Sequence, residues 1–119
     1  MERALHTRLN EGAAEAYDEL HARIPDDLAA ALRDAGVRDW RIWRDGLDVF
    51  HVVDVEDYAA MRAYLRDHPA NLAWQARVTP LQSRPDDYSG EDDGLPWVWG
   101  LSAQLGESTE EVSRGSRRP

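Results

Sequence analysis

Tyr17 and His21 stand four residues apart in the run Tyr17-Asp18-Glu19-Leu20-His21. On a helix that spacing places their side chains one above the other. An imidazole changes protonation state near neutral pH, and a phenol offers a hydrogen bond beside it. The chemistry within reach of such a pair is proton transfer to and from a polar substrate. Both residues fall on the stripe of Leu20, Ile24 and Leu28, the face that should turn inward. A packed core uses such a pair as readily as a reaction site does, and the spacing alone does not choose between them.

No rival chemistry has comparable support. His6, His51 and His68 lie in separate segments, without the spacing of a metal site, so no metal is expected. Cysteine is absent, which removes thiol nucleophiles, thiolate ligands and disulfides. No glycine-rich phosphate loop and no Gly-x-Ser-x-Gly elbow occurs, and no cofactor is expected. The acidic runs Asp26-Asp27 and Glu91-Asp92-Asp93 read as solvated charge.

The 119 residues make room for one domain. All 14 basic residues are arginine, set against 23 acidic ones, for a net charge of −9. That surface repels phosphate backbones, so nucleic acid is not an expected partner. No segment approaches the roughly eighteen uninterrupted apolar residues that a membrane span requires. The first residues lack the apolar core of a secretory signal, and the expected location is cytoplasmic. Five Trp and four Tyr form an aromatic complement suited to a mixed core or to a sugar-binding wall.

The elements that must position Tyr17 and His21 follow from periodicity. Residues 3–9 read as a strand closed by Asn10-Glu11-Gly12. Residues 13–35 carry helical spacing, broken just after His21 because Pro25 cannot donate to the His21 carbonyl. Gly36 stops the helix. Residues 38–44 and 47–54 read as a hairpin with Asp45-Gly46 as its turn. Apolar residues on both parities of the second strand predict that both sheet faces are covered, one of them by a second copy of the chain. Asp57 caps a helix carrying Tyr58, Met61 and Leu65, and a further helix over 70–78 carries Trp74. Residues 82–94 have loop composition, and Trp97–Leu101 reads as the last strand. The domain is thus expected over 1–101, followed by a disordered polar tail over 102–119. The order β-α-β-β-α-β predicts an α+β, ferredoxin-like fold of the dimeric α+β barrel type.

Three segments in register resemble the L-rhamnose mutarotase family. Tyr17-Asp-Glu-Leu-His21 is similar to the family's Tyr-x-x-x-His. Ala35-Gly36-Val-Arg-Asp39-Trp40 resembles its Gly-x-x-Asn-Tyr. Asn71-Leu-Ala-Trp74-Gln75 resembles its short Trp-bearing helix. The resemblance runs from about residue 3 to residue 81. It implies a cofactor-independent enzyme that interconverts the α and β anomers of a deoxyhexose monosaccharide such as L-rhamnose, built as a homodimer. It further implies His21 as the proton donor to the ring oxygen, with Tyr17, Trp40, Trp74 and Gln75 binding sugar. Three positions depart from the family pattern: Trp40 replaces a Tyr, Gln75 a second Trp, and Pro25-Asp26 a Trp-Pro. Two other readings suit the same scaffold, an inactive sugar-binding or interaction module and a cofactor-free monooxygenase.

Overall fold

The computed structural model describes residues 1–86, 88 and 93–107. Strand β1 (Glu2–Leu9) is followed by helices α1 (Ala14–His21) and α2 (Asp26–Asp34). The hairpin β2 (Val37–Asp45) and β3 (Asp48–Val55) comes next, then α3 (Tyr58–Arg66), α4 (Pro69–Val78) and the short strand β4 (Gln82–Arg84). One helical turn, α5 (Leu101–Gln104), lies within the later residues. The four strands form one antiparallel sheet in the order β2-β3-β1-β4, the ferredoxin-like arrangement expected from the order of elements.

Period-two alternation sets the two faces of the sheet. Leu5, Thr7 and Leu9 of β1 and Val49, His51, Val53 and Val55 of β3 turn inward and are buried. Against them pack Tyr17, Leu28, Ala31, Tyr58, Met61, Leu65, Trp74 and Val78 from the four longer helices. The break between α1 and α2 falls at 22–25. Ala22 N–H turns back to Glu19, and the Pro25 carbonyl begins α2 by accepting from Ala29. Asp57 caps α3 by accepting from Ala60 N–H, and the His68 ring does the same for α4 through Ala70.

Two expectations need correction. The hairpin turn is Gly46-Leu47, one residue later than Asp45-Gly46, since Asp45 still pairs with Asp48. Gly46 there has φ +60°, the first central position of a type II′ turn. The last strand is Gln82–Arg84, inside the segment read as loop, and not Trp97–Leu101. Its polar Gln-Ser-Arg composition hides it, because a three-residue edge strand is held by backbone pairing and needs no apolar face. The register shifts between Arg8 and Leu9, where Ser83 Oγ donates to both of their carbonyls. Farther along the same edge, Leu95 N–H donates to the Ala4 carbonyl. Leu101 begins a helical turn, and residues 108–119 of the expected tail lie outside the described residues.

A buried ion pair ties the chain beyond β4 to α3. Arg62 is 3% exposed, donates from Nη1 to Asp86 Oδ1 at 3.0 Å and lies 4.9 Å over the Tyr88 ring. Arg66 Nε donates to the Tyr88 carbonyl at 2.8 Å. Among the described residues the outer sheet face has no such cover. Trp43 and Phe50, opposite each other across β2 and β3, are 54% and 42% exposed. Among the described residues no helix is long and apolar enough to cross a membrane.

Candidate active site

Between α1, α4 and the inner face of the sheet lies a cavity of about 770 Å³. All five residues singled out by sequence line it: Tyr17, His21, Trp40, Trp74 and Gln75. They arrive from three elements, α1, β2 and α4, and only the fold brings them together.

His21 ends α1, at the point where Pro25 prevents the helix from continuing. Its Nδ1 lies 2.9 Å from the Tyr17 carbonyl. A carbonyl only accepts, so Nδ1 carries the proton and Nε2 of the neutral ring keeps its lone pair. Among the described residues Nε2 has no hydrogen-bond partner. The ring stacks on Tyr17 with centroids 4.0 Å apart and meets the edge of Trp74 at 5.0 Å. Burial lowers the His21 pKa, opposed by the Tyr17 carbonyl and by Asp18. The resting ring is therefore neutral at physiological pH, a base rather than an acid.

Tyr17 is 2% exposed, and burial raises its phenol pKa to about 12. It stays protonated and available as a donor, and among the described residues its hydroxyl makes no hydrogen bond. Asp18, also on the cavity wall, grips Arg44 of β2 through both carboxylate oxygens, at 2.9 and 2.6 Å. That fork, with Arg44 also donating to the Gly46 carbonyl at 2.8 Å, ties the α1 turn bearing His21 to the end of the hairpin.

On α4, Asn71 is buried and donates to the Leu65 carbonyl at 3.0 Å, while its oxygen accepts from Gln75 Nε2 at 3.3 Å. Gln75 Oε1 is left as an acceptor on the cavity wall. Trp74 supplies an aromatic wall, and Ile24, Leu28, Leu32 and Val78 supply aliphatic surface.

Several polar residues of the cavity escaped the sequence reading, His51 and Thr7 among them. Trp40 Nε1–H donates to His51 Nδ1 at 3.2 Å, and His51 Nε2 lies 3.0 Å from Thr7 Oγ1. The signal for both was present: His51 shares its parity with Val49 and Val53, and Thr7 with Leu5 and Leu9. A polar side chain on an apolar parity has to be partnered. Trp40, with its N–H committed to His51, turns only its ring toward the cavity. Among the described residues no group of three or more His, Cys, Asp or Glu converges as a metal site.

Comparison with known proteins bears on what this cavity is for. The chain matches the family model of the L-rhamnose mutarotases over residues 2–101. The L-rhamnose mutarotase of Acidiphilium cryptum is 32% identical over 85 residues, covering 70% of this chain and 82% of that protein. Its counterpart in Paraburkholderia phytofirmans is 51% identical over 37 residues, covering 31% of this chain and 35% of that protein. Among solved structures, an L-rhamnose mutarotase of Formosa agariphila aligns with a TM-score of 0.67 at 22% identity, over 85% of this chain and 98% of that one. The tetracenomycin F2 cyclase of Streptomyces glaucescens, a type-II polyketide cyclase, aligns at 0.58 and 18% identity with the same coverage. At those identities the two structures speak for the fold alone. Sequence similarity, spanning the strand, helix and hairpin that build the cavity, goes further: the chain belongs to the L-rhamnose mutarotase family.

Proposed function

We propose that this chain is a sugar mutarotase that interconverts the α and β anomers of L-rhamnose, or of a closely related deoxyhexose, by opening and reclosing the pyranose ring. The observation that carries the reading is His21, whose Nδ1–H is held by the Tyr17 carbonyl while Nε2 is left open in an aromatic cavity. Family membership supplies the reaction class.

Ring opening removes the proton from the anomeric hydroxyl O1 and delivers one to the ring oxygen O5. A neutral His21 begins as the base. Nε2 takes the O1 proton, the O1–H electron pair becomes the carbonyl π bond, and the C1–O5 pair leaves with O5. The imidazolium returns the proton to O5, since O1 and O5 are both bonded to C1 and one nitrogen reaches each in turn. Rotation about C1–C2 presents the other face of the aldehyde, and the same steps run backward. The transfer to His21 thus precedes the protonation of the ring oxygen that the resemblance implies. Tyr17, protonated throughout, donates a hydrogen bond to the oxygen that gains charge. Trp74 stacks against a C–H face of the sugar, the Trp40 ring adds a second aromatic surface, and Gln75 Oε1 accepts from a sugar hydroxyl. The aliphatic surface of Ile24, Leu28 and Leu32 suits the methyl group of a 6-deoxy sugar. None of these steps calls on a cofactor.

We further infer a homodimer joined through the outer sheet face, supported by the exposed Trp43–Phe50 pair. A cytoplasmic location agrees with a chain that carries no cysteine.

Saturation-transfer proton NMR on the anomeric signals of L-rhamnose tests the enzymatic reading. Wild-type protein should accelerate exchange and His21→Ala should not, while still binding sugar. Equal exchange by the two proteins would remove His21 from the mechanism.

A further inference from the structure

A second polar group reaches the cavity from the sheet rather than from α1. Trp40 of β2, His51 of β3 and Thr7 of β1 form a hydrogen-bonded chain across three strands on the inner face. The direction of each bond follows from the atoms. An indole N–H only donates, so His51 Nδ1 must hold a lone pair. The neutral ring then carries its proton on Nε2 and donates it to Thr7 Oγ1. His51 is 7% exposed, and burial, with repulsion from His21 and His6, lowers its pKa to about 4, so this tautomer persists at working pH. Thr7 has accepted one hydrogen bond and still has its own proton to donate. It is 2% exposed, it lines the same cavity as His21 and Tyr17, and among the described residues its hydroxyl makes no other hydrogen bond. A buried hydroxyl proton without an acceptor is costly, and the open side of Thr7 is the cavity.

We propose that Thr7 determines sugar specificity: its hydroxyl, aimed by His51 and Trp40, donates a hydrogen bond to one ring-hydroxyl oxygen of the substrate. The inference rests on the mutarotase reading above and adds a sheet-side contact to the helix-side pair of His21 and Tyr17. His51 is a positioning residue and not a second acid, because losing its Nε2 proton would leave an imidazolate. Trp40 has its N–H committed to His51 and discriminates by shape alone. Arg44 and Gln82 also reach the cavity from the sheet, but the Arg44 guanidinium is engaged by Asp18 and the Gly46 carbonyl, and Thr7 is the buried hydroxyl of the His51 chain with a proton left to donate.

Exchange rates against sugar concentration, measured by the same NMR method, test this with L-rhamnose and its 2-, 3- and 4-deoxy analogues. Thr7→Val keeps the shape and removes the hydroxyl; it should raise KM about tenfold on L-rhamnose with kcat nearly unchanged. Thr7→Ser should restore most of the loss. On the one analogue lacking the contacted oxygen, wild type and Thr7→Val should become equal. If Thr7→Val does not fold, His51→Gln takes its place, and its KM penalty should vanish on one analogue in the same way. A penalty equal on all four sugars, or no penalty, overturns the role of Thr7 and leaves the mutarotase reading standing. A wild type that neither binds nor exchanges any of them overturns both.

Discussion

His21 is held twice by Tyr17: its Nδ1–H donates to the Tyr17 carbonyl at 2.9 Å, and its ring lies on the Tyr17 ring with centroids 4.0 Å apart. One residue thus sets both the tautomer and the orientation of the imidazole. That follows from the i, i+4 geometry of a single helical turn, and it leaves Nε2 as the only nitrogen free to act.

Removing the Tyr17 hydroxyl separates its two roles. Tyr17→Phe keeps the stacking ring and the carbonyl, so His21 should stay in place. The fold should be no less stable, because the buried hydroxyl that is lost has no partner among the described residues. Exchange should slow by about tenfold, the worth of one hydrogen bond to a charged oxygen. Thermal melts and NMR exchange together check this; a large loss of stability would mean that the hydroxyl serves the core.

The pH dependence of exchange should follow His21. Burial lowers its pKa from the usual 6.5, and the neutral ring is the working form. The rate should be flat at neutral pH and fall as pH drops through a value below 6.5. An acid limb centred above 6.5 would contradict a base-first mechanism.

Stability should carry a separate signature from His51. Its folded pKa of about 4 lies below the usual 6.5, so the unfolded chain binds more protons between those values. The stabilisation from its neutral form is complete above pH 6.5 and is lost as pH falls toward 4. It amounts to roughly 3 kcal/mol. Urea unfolding across that range should show this slope in wild type and a flatter one in His51→Leu.

The Arg62–Asp86 pair should be costly to halve. Arg62→Met leaves the Asp86 carboxylate, largely shielded from water, without its guanidinium, at a cost of about 3–5 kcal/mol. The double variant Arg62→Met/Asp86→Leu should recover much of that loss. Denaturation midpoints for the three proteins decide; equal losses in single and double variants would show that packing against Tyr58 and Tyr88 matters more than charge.

Charge on the outer sheet face should dissociate the dimer. Phe50→Glu places a carboxylate opposite Trp43 and should shift the protein to a monomer in sedimentation velocity, with the fold retained by circular dichroism. A wild type that sediments as a monomer would rule out the proposed interface.

The order of elements, the helix break after His21 and the alignment of Tyr17 with His21 were legible in the sequence. Each depends on relations within about one or two turns of chain: a period of two or 3.6, a proline without an N–H, a carboxylate before a helix. The resemblance added Trp40, Trp74 and Gln75, and the fold brings all three to one cavity. What local pattern could not reach was set by pairing between distant segments. Gln82–Arg84 is a strand only because β1 offers it an edge. Thr7 and His51 are partners across 44 residues of chain, and only the β1–β3 register brings their side chains within 3.0 Å. The Trp40 N–H, which the sequence left available to sugar, is turned to His51 by the register of β2 on β3. Sequence determined which helix carries the proton-transfer pair; tertiary structure decided which polar atoms remain unpaired to meet a substrate, because satisfying a buried donor depends on whatever the folded chain brings beside it.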